Sequence, residues 1–202
     1  MKKSALNVPN TLSLIRVLLV PVFVATLFLM RDIKIWGLVV PTAVFALTAF
    51  TDMLDGKIAR KYNLVTDFGK FIDPLADKFM VIGSQIAILV HMLLMGETTL
   101  ALVFVWVVLL ILFRELAVTS LRLVVAGKSG IVVAASMLGK MKTVSQMAGT
   151  VLIILEPLFI DLAPWLGNHL IAYVCMGIMA FTTLFSGLDY LKTYLPHIDT
   201  NK

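Results

Sequence analysis

Apolar residues in this chain come in six long runs divided by short polar breaks. Each run is close to the ~20 residues that an α-helix needs to cross the hydrocarbon of a bilayer. The first begins at Pro9-Asn10-Thr11, where Asn10 or Thr11 can act as N-cap, and continues to about Met30. After the polar loop Arg31 to Lys34, a second run starts near Ile35 and stays apolar until Asp52. A polar, basic linker from about Gly56 to Asp67 separates it from a third helix, which begins near Asp67 or Gly69 and reaches about Met95. Pro74 fits that helix only within its first turns, and Asp67 can cap it. The turn Gly96-Glu97-Thr98 leads to a fourth run, about Thr99 to Val125. A loop with Lys128, Ser129 and Gly130 leads to a fifth, about Val132 to Leu155. Glu156 to His169, with Pro157, Pro164 and Gly167, reads as a loop, and the sixth run covers about Leu170 to Leu191. The pattern predicts an all-α integral membrane protein: one six-helix transmembrane domain over residues 1–202, with a short interfacial lead-in at 1–8 and a polar tail at 192–202.

Composition points the same way. The chain is 60% hydrophobic and 14% charged, against about 25% charged for a soluble domain. A net charge of +5 raises the question of nucleic acid. The basic residues are interleaved with spanning segments, however, so anionic lipid headgroups are the expected partner and nucleic acid is not. Cys175 is the single cysteine, which excludes an intrachain disulfide. The first apolar run is too long for a signal-peptide core and has no small-residue cleavage site after it, so it is expected to remain as a span.

Loop charge sets the orientation. The connections Arg31 to Lys34, Gly96 to Thr99 and Glu156 to His169 hold two of the 17 Lys and Arg residues, and the other 15 lie at the opposite ends of the spans or in the termini. The positive-inside rule then predicts a cytoplasmic-membrane protein with both termini in the cytoplasm. Four aspartates, Asp52, Asp55, Asp73 and Asp77, fall on that cytoplasmic side, together with Arg114, Arg122, Lys140 and Lys142.

The aspartates carry the chemistry. Asp52 and Asp55 are spaced i,i+3, and Asp73 and Asp77 i,i+4, so each pair shares a helix face. Four ionised carboxylates at a membrane boundary are costly to desolvate and repel one another. Divalent cations relieve that cost, and hard carboxylate oxygens are the ligands that Mg²⁺, Mn²⁺ and Ca²⁺ prefer. Two metals about 3.5–4 Å apart on carboxylates are a common apparatus for displacement at phosphorus. The neighbouring basic residues then read as phosphate-binding groups.

Asp52-x-x-Asp55-Gly56-x-x-Ala59-Arg60, eight residues, then Gly69-x-x-x-Asp73-x-x-x-Asp77 resembles the full signature of the CDP-alcohol phosphotransferase family, with every position filled. Three further stretches are similar to the bacterial phosphatidylglycerophosphate synthase branch of that family. They are Pro9-Asn10-x-Leu12-Ser13-x-x-Arg16, Arg114-Glu115-x-x-x-Thr119-Ser120-Leu121-Arg122 and Gly139-Lys140-x-Lys142-Thr143-x-x-Gln146. The resemblance implies that Asp52, Asp55, Asp73 and Asp77 share two divalent cations, Mg²⁺ or Mn²⁺, that grip a CDP diphosphate, and that Asp77 is also the base for the acceptor hydroxyl. Gly56 and Ala59 would be small to let the cytidine lie against the helix. Arg60 would bind diphosphate and Asn10 would close the nucleotide end. Arg114, Arg122, Lys140 and Lys142 would bind the acceptor's phosphate. The implied reaction joins CDP-diacylglycerol and sn-glycerol 3-phosphate into phosphatidylglycerophosphate and CMP, at a site facing the cytoplasm, in a homodimer.

Blander readings stand beside these. Glu115 can serve only an ion pair with Arg114, and Lys140 and Lys142 can be orientation determinants. Arg16 can equally anchor the first helix at the interface or line the pocket, and is left outside the expected site. His91, His169 and His197 are scattered and read as no ligand. Two other functions compete. A phosphatidylinositol phosphate synthase would use the same apparatus with inositol phosphate as acceptor. A divalent-cation transporter would need acidic residues near the midplane or at both mouths, whereas the far-side connections here hold only Asp32, Glu97, Glu156 and Asp161.

Overall fold

The computed structural model describes residues 7–62, 66–129 and 136–194. The side chains of Lys57, Ala59, Arg60, Leu166 and residues 126–129 lie outside the described residues. So does most of the expected lead-in and tail. The described chain is helical throughout: α1 (Val8–Leu29), α2 (Trp36–Lys61), α3 (Asp67–Leu94), α4 (Thr98–Ser129), α5 (Met137–Leu162) and α6 (Leu170–Tyr194), with a single 3₁₀ turn at Pro164–Leu166. All six helices are long and apolar enough to cross a membrane.

Several boundaries differ from the sequence expectation, each for a local reason. Neither Asn10 nor Thr11 caps α1; Asn7 does, its side chain accepting from the Asn10 amide at 3.0 Å. That places Pro9 in the first turn, where its missing N–H leaves no helical bond unmade. The linker expected from Gly56 is helical as far as Lys61. Its lysines and arginine are good helix formers and suit the negative end of the helix dipole. Thr66, not Asp67, caps α3 by accepting from the Gly69 amide at 3.0 Å. α4 runs past Val125 to Ser129. α5 starts at Met137 behind the cap Ser136, and residues 132–135 of its expected start lie outside the described residues. At its other end α5 passes through Pro157 to Leu162, so the expected loop from Glu156 is shorter. One proline removes one helical hydrogen bond, which packing can outweigh.

Short connections make neighbouring helices antiparallel. α1 packs mainly on α2 and α3, α5 on α6, and α4 on α6 and α3. The apolar core centres on Phe23, Leu27, Met80, Phe104, Ile111 and Met179. The exterior is apolar too: Trp106 is 73% exposed and Phe113 71%. Polar residues, by contrast, are buried, including Asn10, Ser13, Arg16, Asp55, Arg114 and Lys142. An apolar exterior with the polar side chains of the spans turned into the bundle is the arrangement a bilayer favours. Hydroxyls within spans satisfy themselves on backbone: Thr42, Thr48 and Ser84 donate to the carbonyls of Leu38, Val44 and Val81.

The alternation gathers the start of α1, α3 and α5 and the end of α2, α4 and α6 at one end of the bundle. The opposite end holds a cavity of about 650 Å³ bordered by Arg31, His91, Glu97, Glu156 and His169. There the His169 ring lies between Glu97, at 2.9 Å, and Glu156, at 3.2 Å.

Candidate active site

Asp52 and Asp55 lie one turn apart in the last part of α2, and Asp73 and Asp77 in the first part of α3. Arg16 reaches between them from α1 and is fully buried. Its Nη1 pairs with Asp52 at 2.9 Å and also with Asp77, while its Nη2 pairs with Asp55. One turn earlier, the Ser13 hydroxyl donates to Asp73 and stands 3.3 Å from Asp55. The side chains open progressively towards solvent: Asp55 is 7% exposed, Asp52 30% and Asp77 50%. Three of the four carboxylates thus share one guanidinium, the fourth, Asp73, is held by Ser13, and the cluster keeps an excess of negative charge.

Asn10 closes one side of this group. It is buried, and its Nδ2 donates to Thr66 Oγ1 at 2.8 Å, which ties α1 to the cap of α3. A Cβ on Gly69 would sit 2.6 Å from Asn10 Oδ1, so glycine there lets the Asn10 side chain lie against α3 without being displaced. Gly56 follows Asp55 directly on α2. Ala59 and Arg60 lie in the next turn of the same helix, with side chains outside the described residues.

The second predicted group assembles on α4, α5 and α6. Arg114 Nη1 pairs with Glu115 Oε1 at 3.0 Å, and Arg114 Nη2 donates to Ser186 Oγ at 2.6 Å. Lys142 Nζ pairs with the same Glu115 oxygen. Arg122 donates to the Tyr190 hydroxyl, which also accepts from the Ser136 amide at 3.1 Å. The guanidinium carbons of Arg114 and Arg122 lie 5.4 and 4.9 Å from the Tyr190 ring centre, within cation–π range. Gly187 admits Arg114, whose Cγ would be 3.3 Å from a Cβ at that position. Three buried or half-buried cations therefore share one carboxylate and one aromatic ring. Lys140 does not join them. It is exposed, and two residues before Lys142 it points to a different face of α5.

Among the described residues, no three His, Cys, Asp or Glu side chains form a ready metal cage. The guanidinium of Arg16 occupies the point on which three aspartates converge. The donor set nevertheless fits divalent cations: hard oxygens, surplus negative charge, and a resident cation already bridging two helices. The sequence places Ser13 in a family-like stretch without giving it a role, leaves Arg16 outside the expected site, and does not single out Ser186 or Tyr190. Arg16 was detectable as an ionisable residue inside a span. Tyr190 and Ser186 carried no such signal in an otherwise apolar helix.

A family model described as CDP-alcohol phosphatidyltransferase matches residues 6–185. The chain is 39% identical over 198 residues to a CDP-diacylglycerol–glycerol-3-phosphate 3-phosphatidyltransferase of Bacillus subtilis, covering 92% of this chain and 94% of that protein. It is 38% identical to a probable phosphatidylglycerophosphate synthase of Mycobacterium tuberculosis, with coverage of 95% and 83%. A Pseudomonas fluorescens protein named like the first is 33% identical, with coverage of 97% and 94%. The similarity runs from α1 into α6 and takes in all four aspartates and the basic residues of α4 and α5. The match covers most of the chain rather than a local motif, and the chain belongs to the CDP-alcohol phosphatidyltransferase family.

Proposed function

We propose that the protein transfers the phosphatidyl group of CDP-diacylglycerol to sn-glycerol 3-phosphate and releases CMP. The observation that carries this reading is the pairing, at one end of the bundle, of an over-acidic group with an over-basic one. Asp52, Asp55, Asp73 and Asp77 would hold two Mg²⁺ or Mn²⁺ ions. Such ions, when bound, supply charge neutralisation for the diphosphate and the departing CMP. Arg114, Arg122 and Lys142 would bind the acceptor's phosphate, and exposed Lys140 would attract it from solvent. Asn10, Gly56, Ala59 and Arg60 would form the nucleotide end.

In this reading the acceptor hydroxyl oxygen attacks the phosphatidyl phosphorus while the bond from that phosphorus to the CMP oxygen breaks. Asp77 takes the hydroxyl proton. With half its side chain exposed, it is the most accessible of the three aspartates paired with Arg16. An acceptor phosphate held by α4 and α5 would point its hydroxyl end towards α3, which supplies orientation. The buried cations act in a site of low dielectric, where each stabilises an anion more than it would in water. The lipid tails would stay in the bilayer, with glycerol 3-phosphate and CMP exchanging on the cytoplasmic side of the cell membrane. Residues 1–202 would work as one unit, paired as a homodimer.

The test is CMP release by detergent-purified protein given CDP-diacylglycerol and Mg²⁺ or Mn²⁺, with glycerol 3-phosphate, inositol phosphate or serine supplied separately. Release only with glycerol 3-phosphate, abolished by EDTA, is the expected result. Release with inositol phosphate instead would overturn the acceptor, and no release with any of the three would overturn the reading.

A further inference from the structure

Arg16 is the most completely buried charge in the described chain, and everything that holds its guanidinium belongs to the aspartate site. Nη1 serves Asp52 and Asp77, Nη2 serves Asp55, and Nε has no partner. An arginine that only braces a bundle would also be expected to grip backbone carbonyls or side chains outside the site. This one grips three carboxylates on two other helices. The oxygens it uses, Asp52 Oδ1, Asp55 Oδ2 and Asp77 Oδ1, are hard carboxylate donors of the kind a divalent cation takes. Guanidinium and metal cannot both occupy them.

We propose that Arg16 is a placeholder cation: its guanidinium holds Asp52, Asp55 and Asp77 together while no divalent cation is bound, competes with such cations for the same oxygens, and remains beside the loaded site as an extra positive charge for the anionic substrate. The inference rests on the metal-dependent reading above and deepens it. Charge counting supports each part. With Arg16 alone, four carboxylates leave three negative charges unbalanced, enough to draw divalent cations in but less repulsive than four. Two divalent cations would exactly cancel the aspartates without Arg16. With Arg16 retained, the loaded site is positive by one charge and suits a diphosphate. The exposures point the same way: the Nη1 partners, Asp52 and Asp77, are the more open pair, so a cation arriving from solvent meets them before Asp55.

The test uses the full-length protein in detergent and two readouts, Mn²⁺ affinity from the electron paramagnetic resonance signal of free Mn²⁺, and melting temperature in EDTA or in Mn²⁺. Arg16→Met, which removes the competitor, is expected to bind Mn²⁺ roughly tenfold or more tightly than the wild type, the scale of one charged hydrogen bond. It should melt below the wild type in EDTA and gain more from Mn²⁺. Arg16→Lys, a point charge that cannot span three carboxylates, should fall between the two. If Arg16→Met folds only with Mn²⁺ present, the comparison of Arg16→Lys with the wild type decides. Equal or weaker Mn²⁺ affinity in the variants would overturn the placeholder alone, since the metal would still bind. Failure of both wild type and variants to bind Mn²⁺ would overturn the placeholder and the metal-dependent reading together.

Discussion

The acidic and basic groups at one end of the bundle are near mirror images. On α1, α2 and α3, one guanidinium pairs with three of four clustered carboxylates; on α4, α5 and α6, one carboxylate pairs with two of three clustered cations. Neither group is balanced, and the imbalances are opposite in sign. A fold that needed only internal stability would pair these charges with each other, because unpaired buried charge is expensive. Keeping them apart makes sense if each surplus is meant for a ligand: cations for the first group, a phosphate for the second. The far end of the bundle is the control. There His169 sits between Glu97 and Glu156, and Glu156 also accepts from the Ala172 amide at 2.9 Å, so the buried acid is satisfied by the protein itself.

The comparison can be broken at several points. Asp77→Asn should have the largest effect. It keeps the side-chain shape and removes the base, so turnover should fall by about 10³-fold, with CDP-diacylglycerol binding retained. CMP release and lipid-substrate binding measured side by side check this, and near-normal turnover would remove Asp77 as base. Glu115→Gln strips the basic group of its one carboxylate. Leaving Arg114 and Lys142 together should cost about 3 kcal/mol of stability, seen as a lower melting temperature. Saturating glycerol 3-phosphate should restore much of that loss, and no restoration would locate the acceptor elsewhere.

Smaller changes sharpen the picture. Arg114→Ala should raise the acceptor KM by about 30-fold, or about 2 kcal/mol for a charged hydrogen bond, and leave the CDP-diacylglycerol KM unchanged. Gly69→Ala must push Asn10 aside and should weaken lipid-nucleotide binding by about 1 kcal/mol. Lys140→Ala should have the least effect, under about fivefold on the acceptor KM, because an exposed charge contributes at most about 1 kcal/mol. A larger effect for Lys140 than for Arg114 would reverse the assignment of the buried group.

Much of this was legible in the chain itself. Six apolar runs gave six helices, and the aspartate spacing placed each pair on one helix face because helical periodicity is a local property. Local chemistry also explains the boundary errors: Asn7, Thr66 and Ser136 all cap helices, and caps are interchangeable among short polar residues. Arg16 was ambiguous because its partners lie 36 to 61 residues away, and an arginine near a span end can equally reach the interface. Lys140 and Lys142 looked alike in sequence. Only the packing of α5 against its neighbours separates an exposed lysine from one that is 4% exposed and bound to Glu115. Tyr190 shows the same limit, since its hydroxyl finds Arg122 and Ser136 only when α4, α5 and α6 meet.

The most direct test of the two-group account is a crystal structure with Mn²⁺, CMP and sn-glycerol 3-phosphate bound, read by anomalous scattering at the manganese edge. The account predicts manganese among Asp52, Asp55, Asp73 and Asp77, and the glycerol phosphate group within reach of Arg114, Arg122 and Lys142. Manganese elsewhere, or a phosphate bound away from the α4 and α5 cations, would contradict it.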